Sequence, residues 1–201
     1  MSSSPSPPVH RRPLILASRS PRRRELLAEA GYQFEVVPPS SAFEHEPAPG
    51  DDPAEYVARL AETKARDVGA QVGRGLVLAC DTVAECDGRI LGKPETADDA
   101  RQMLELLSGR EHRVLTGVSL WNAPIGEPTT RVAVTKLHLD RLGPEQLTEY
   151  VDSRLWEGKA GGFGYQDRLG WVHIVEGSPS NVVGLPLELL AKMLASLEFR
   201  L

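Results

Sequence analysis

A run of arginines at the start of a helix is the first chemistry legible in this sequence. Ser18-Arg19-Ser20-Pro21-Arg22-Arg23-Arg24 places a hydroxyl at an N-cap, proline at the first helical position and three cations in the first turn. The helix macrodipole is already positive there, so each cation costs roughly 0.3–1 kcal/mol at low salt. An anion resting on the free backbone N–H groups and the guanidinium forks would offset that cost, and a phosphate chain suits both. A solvated basic turn is the alternative reading of this motif taken alone.

Other candidates lie downstream. The apolar residues 75–80 lead into Asp81, which puts a carboxylate at the carboxyl end of a strand, where open α/β sheets bind ligands. Such a group can bind Mg²⁺ or accept a proton from water, or it can cap the next turn through Thr82. Lys93, in Leu91-Gly92-Lys93-Pro94, sits on the far limb of a hairpin turned by Asp87-Gly88, within reach of the same cavity. Lys64 comes four residues after Leu60 and seven after Val57, at the edge of an apolar helical stripe where a stem packs and the ammonium reaches out. Lys159 stands among glycines in Gly158-Lys159-Ala160-Gly161-Gly162, a setting that lets backbone approach a ligand, though the spacing is not that of a P-loop. Glu44, in the acidic loop 44–52, could add a carboxylate for a hard cation. No Ser-His-Asp or Cys-His arrangement is evident. Cleavage of an anhydride by metal and lysine electrostatics is the simpler chemistry.

These residues need a frame. Leu14–Ala17 predicts a strand feeding the arginine helix, which Gly31 ends, and 34–37 predicts a second strand before a proline-rich loop over 38–50. Ala54, Val57, Ala58, Ala61, Ala65 and Val68 recur at helical spacing after Pro53. Thr96 and Asp99 bracket a capping box for a helix whose inner face is Ala97, Ala100, Met103, Leu104 and Leu107. Alternation over 113–121 and 129–139 predicts antiparallel neighbours around a 124–128 turn. Pro144 opens another helix, 158–164 is a glycine-dense loop, 171–175 reads as a strand and Pro186 opens the last helix. The order implies an α/β domain with helices packed on a mixed sheet.

Composition sets the outer bounds. With 201 residues, 41% hydrophobic and 25% charged, the chain can bury an ordinary core, and one domain over 13–201 is expected. Residues 1–12, rich in Ser and Pro, read as a disordered tail. A formal charge of -5 argues against a broad nucleic-acid face, so a polyanion must meet a local cluster. Binding through Arg11, Arg12 and Arg22 to Arg24 remains a weaker possibility. Cys80 and Cys86 frame neither a disulfide scaffold nor a zinc site, which fits a reducing cytoplasm. Neither a signal sequence nor a membrane span is apparent.

Taken together, Leu16-Ala17-Ser18, Ser20-Pro21-Arg22-Arg23, Glu62-Thr63-Lys64-Ala65, Asp81-Thr82-Val83, Leu91-Gly92-Lys93-Pro94, Thr116-Gly117-Val118, Lys159-Ala160-Gly161 and Gly184-Leu185-Pro186 resemble the Maf family of nucleoside triphosphate pyrophosphatases. The resemblance runs in order from about Leu14 to Leu194. It implies an elongated mixed β-sheet flanked by helices, two lobes around a central cleft similar to inosine triphosphate pyrophosphatases, and a homodimer. It further implies that Asp81 is the general base, with Lys64 and Lys93 in the catalytic set. Glu44 and Asp81 would hold Mg²⁺ or Mn²⁺, while Ser18, Arg22, Arg23 and Lys159 surround the triphosphate. Arg22, Thr82 and Gln166 resemble the dTTP/UTP subfamily, and the Gln166 amide can donate to and accept from the edge of uracil or thymine. The 7-methyl-GTP subfamily and a non-catalytic, nucleotide-binding regulator of septum formation are the competing readings. Phe43 stands before Glu44 where the family commonly has Asp, and Cys80 precedes Asp81.

Overall fold

The computed structural model describes residues 13–40, 47–48, 50–167 and 169–198. The expected tail, residues 1–12, and Glu44 lie outside the described residues. Strand β1 (Leu14–Ala17) feeds helix α1 (Pro21–Glu29), in which Ser20 at the N-cap accepts from the Arg23 N–H and proline opens the first turn. β2 (Phe34–Val36) returns parallel to β1. Helix α2 (Pro53–Val72) begins where the Asp52 carboxylate accepts from the N–H groups of Ala54 and Glu55, both at 2.9 Å, and ends at Gly73, whose φ of 70° suits glycine.

Strand β3 (Gly75–Cys86) turns into β4 (Arg89–Leu91) through Asp87 and Gly88, both at positive φ, as a tight hairpin requires. The capping box at Thr96 and Asp99 starts α3 (Ala97–Leu107), which buries Ala100, Leu104 and Leu107. Ala97, expected on that inner face, is exposed, the burial of α3 beginning one turn later at Ala100. The paired strands β5 (Arg110–Ala123) and β6 (Thr129–Leu139) are antiparallel, followed by α4 (Pro144–Asp152), two short 3-10 turns (Ala160–Gly162 and Tyr165–Asp167) and β7 (Val172–Glu176). The sequence pattern did not reveal α5 (Pro179–Val183), a single short turn before the expected last helix, α6 (Leu187–Glu198).

The seven strands form one mixed sheet in the order β2-β1-β3-β5-β6-β7, with β4 also paired to β3. β5 runs along one side of β3 without interruption, from Gly75↔Ala123 to Glu85↔Arg113. The other side of β3 is shared: β1 pairs with it up to Ala17↔Ala79, and β4 takes over from Leu91↔Ala84. Residues 80–83 therefore have no strand neighbour on that side among the described residues.

The core divides at the same place. One cluster packs α1 and α6 against β1 and the first half of β3, through Leu16, Leu27, Leu78 and Leu190. Another packs α3 and α4 against the far ends of β3 and β6, through Leu104, Leu107, Leu137, Leu139 and Trp156. Two lobes thus flank a cleft that crosses the open edge of β3. Helix α2 spans both lobes on the opposite face, and full burial of Val57, Leu60 and Val68 stabilises that packing by about 1.5–3 kcal/mol each. Its close approach depends on Gly117, opposite Asp81, because a Cβ there would overlap the Val57 carbonyl.

Candidate functional site in the cleft between the lobes

Asp81 does not end its strand. β3 continues five residues beyond it, contrary to the sequence expectation, because Val83, Ala84 and Cys86 are buried, Glu85 is ion-paired with Arg113 at 2.6 Å, and the hairpin extends the ladder. What makes the position accessible is the missing neighbour at 80–83. Alternation along β3 sends Asp81 to the α2 face and Thr82 to the other. Both line one cavity, since the cleft wraps around the unpaired edge.

On the α2 face, Lys64 lies inside the buried stripe, between Ala61 and Ala65, at 8% exposure. The expectation of a lysine reaching out from the stripe's edge is corrected: its ammonium stays in and donates to Asp81 Oδ1 at 2.6 Å. On the other face, the Arg23 guanidinium donates to the Gly184 carbonyl at 2.7 Å and to Thr82 Oγ1 at 2.9 Å, while Thr82 also meets the buried Thr116 hydroxyl at 2.9 Å. The Gly184 carbonyl is presented by α5, which Asn181 pins to the sheet through bonds to the Val114 carbonyl and Thr135 Oγ1.

Across the cleft, Arg22 donates to the Gly158 carbonyl, tying the arginine helix to the glycine loop. Burial, and after it the adjacent Arg23, lower the Arg22 pKa below its ordinary value, strain that an anion would relieve. Lys159, 8% exposed, is ion-paired with Asp167, and the Tyr150 hydroxyl donates to the same carboxylate oxygen at 3.2 Å. Ser18, 6% exposed, accepts from the Ser20 N–H at the mouth of α1.

The cavity has a volume of about 470 Å³. Ser18, Arg22, Arg23, Lys64, Asp81, Thr82, Lys93, Lys159 and Gln166 all line it, so these residues, drawn from separate stretches, converge on one cleft. Arg24, the third cation of the first turn, is exposed and does not line it. Ser40 and Glu157 line the cleft without having been singled out from the sequence, and Arg19 and Gly184, quoted there within motifs but given no role, line it too. Ser40 is held by Asp67, one turn beyond Lys64 on α2, through a 2.7 Å bond from its N–H. Six basic side chains against two acidic ones, Asp81 and Glu157, make the cleft cationic within a net acidic chain.

A divalent cation fits this donor set in one way. No cluster of three or more His, Cys, Asp or Glu that could hold a metal occurs among the described residues, so no all-protein cage is present among them. Mg²⁺ commonly uses one or two carboxylates and completes its shell with water and substrate phosphate oxygens, and Asp81 supplies such a carboxylate at the cleft. Cys80, directly before it, is fully buried, and burial pushes its thiol up to about 11, so it offers no thiolate.

Fold and site together define an α/β protein with a cationic cleft between two lobes. A family model described as Maf-like protein matches residues 13–197. The chain is 50% identical over 198 residues to the dTTP/UTP pyrophosphatase of Rhodopirellula baltica, covering 98% of this chain and 86% of that one. It is 44% identical over 188 residues to the dTTP/UTP pyrophosphatase of Caulobacter vibrioides (93% and 96% covered) and 43% over 178 residues to that of Citrifermentans bemidjiense (87% and 90%). Among solved structures, the Ham1 protein of Staphylococcus aureus overlaps with a TM-score of 0.42 and 13% identity over 63% of this chain and 71% of that one, too loose to carry an argument. The chain belongs to the Maf family.

Proposed function

We propose that this protein hydrolyses dTTP and UTP to the monophosphate and pyrophosphate, a house-cleaning activity on the nucleotide pool, with residues 13–201 as one catalytic domain. The observation that carries this reading is the convergence of Arg22, Arg23, Lys64, Lys93 and Lys159 with Asp81 on one cleft, in a chain half identical to a protein named for that activity.

In this mechanism the triphosphate lies against the start of α1, where Ser18, Arg22 and Arg23 meet its oxygens with N–H and O–H donors. Lys64, by donating to Asp81 Oδ1, holds the carboxylate in one orientation. Asp81 accepts a proton from the water that attacks the α-phosphorus. The bond from that phosphorus to the bridging oxygen breaks, and pyrophosphate departs with its charge matched by Lys93 and Lys159. When bound, Mg²⁺ or Mn²⁺ would supply Lewis acidity to the phosphoryl oxygens, held by Asp81 and Glu44. Gln166 faces the base. No described helix is long and apolar enough to cross a membrane; a cytoplasmic homodimer completes the reading.

Incubation of the purified chain with dTTP and Mg²⁺ tests it. Equimolar dTMP and pyrophosphate are expected, with dTTP and UTP hydrolysed well above dATP, GTP and 7-methyl-GTP. Release of dTDP and orthophosphate, or binding without turnover, would overturn it.

A further inference from the structure

The glycine loop carries a buried cluster of which Lys159 alone has a part in the proposed reaction. Asp167 Oδ2 accepts from two donors on different elements: Lys159 Nζ on the loop and the Tyr150 hydroxyl on α4, the latter at 3.2 Å. The Lys159 and Asp167 side chains are 9% and 10% exposed. Tyr150 is itself buried, its ring edge-on to Trp171 at 5.2 Å. Gly164 forms the floor, since a Cβ at that position would lie 2.6 Å from Asp167 Oδ2 and 2.7 Å from Lys159 Nζ.

Asp167 closes the three-residue turn Tyr165–Asp167, and its N–H donates to the Gly164 carbonyl at 3.2 Å. Gln166, exposed in the middle of this turn, makes no hydrogen bond that fixes its own side chain among those described. Its placement over the cleft therefore depends on the residues on either side. We infer that Asp167, triangulated by Tyr150 and Lys159, is a positioning residue that sets the base-facing amide of Gln166 at a fixed offset from the phosphate-binding ammonium of Lys159, and so contributes to selection of a pyrimidine nucleotide. This rests on the proposed function. Burial, and then the charge of Asp167, hold the Tyr150 phenol above its ordinary value, so it remains the donor at neutral pH.

The strut predicts a split that a purely structural role would not produce. Tyr150→Phe keeps the ring and its packing and removes one of the two donors. In the full-length protein with Mg²⁺, it should raise KM for dTTP about fivefold to tenfold, leave kcat within about twofold, and leave the parameters for GTP unchanged. Asp167→Asn should show the same loss of dTTP preference together with a lower kcat on both nucleotides, because Lys159 also loses its counter-charge. A dTTP to GTP ratio that stays at the wild-type value in Tyr150→Phe would overturn the inference. So would an equal fall on both nucleotides in step with a lowered melting temperature. A wild-type protein that shows no dTTP preference would remove the proposed function itself, whereas a selective wild type with equally selective variants would remove only the strut.

Discussion

Two buried lysine–carboxylate pairs bring a lysine to the cleft wall, and they are built differently. Lys64–Asp81 joins a twenty-residue helix to the central strand of the sheet, with side chains 10% and 13% exposed. Lys159–Asp167 is just as buried, at 9% and 10%, but joins a glycine loop to a three-residue turn. The same electrostatic unit is thus set once in a hydrogen-bonded frame and once in irregular backbone. A reacting water must meet its base within tenths of an ångström, which suits the frame. Discrimination among bases tolerates, and needs, a segment that can vary.

The sharpest way to break this contrast is at the frame. Asp81→Asn should lower kcat by about 10²–10⁴-fold, and the domain should stay folded but melt at a lower temperature, since the amide keeps the shape beside Lys64 while leaving its buried ammonium without a counter-charge. Pyrophosphate release and thermal melts of the same preparation check it, and near-wild-type turnover would dissolve the distinction.

Acid should separate the regions next. His112 is 3% exposed, stands edge-on to Phe163 at 5.1 Å under the glycine loop, and burial pulls its pKa down from 6.5 to about 4. The folded value lies below the unfolded one, so the unfolded chain takes up the proton first. Stability is whole above pH 6.5 and declines as pH falls toward 4, by on the order of 3 kcal/mol. Urea melts at pH 7.5 and 4.5 should show the decline, and His112→Leu should flatten it; an unaltered slope would assign acid sensitivity elsewhere.

Smaller effects refine the picture. Gly117→Ala should cost about 1–3 kcal/mol by forcing α2 away from β5. Because Lys64 rides on that helix, kcat should fall as well, which a paired melt and rate measurement will show. Gln166→Glu should reduce the dTTP to GTP preference about tenfold, since a carboxylate cannot donate to the O4 oxygen of the base. A panel of triphosphates at equal low concentration reads this out.

The frame was legible in the sequence because it obeys local rules. Asp52, Pro53 and the apolar spacing through Val68 specify α2, and Thr96 with Asp99 specifies the start of α3. The boundary of β3 was not legible, because a charge within an apolar run looks like an end until the second lobe is seen to bury Ala84 and Cys86, and α2 to cover Val83. Lys64 gave the impression of sitting at the edge of its stripe for a related reason: helical spacing cannot tell whether an acid waits beneath. Asp167 and the Gly184 carbonyl gave still less warning. Each acts through a partner 8 to 161 residues away, and no local pattern encodes such a pairing.

The uninterrupted β3–β5 ladder has a mechanical corollary. Eleven consecutive residue pairs pass beneath both lobes, and α2 braces the same span from behind. Among the described residues the lobes are joined through this ladder and α2 rather than through a single loop that could serve as the pivot of a jaw. Rotation of one lobe toward the other must be spread as a slight added coil along the whole ribbon, so the pair stiffens like a leaf spring rather than swinging like a door.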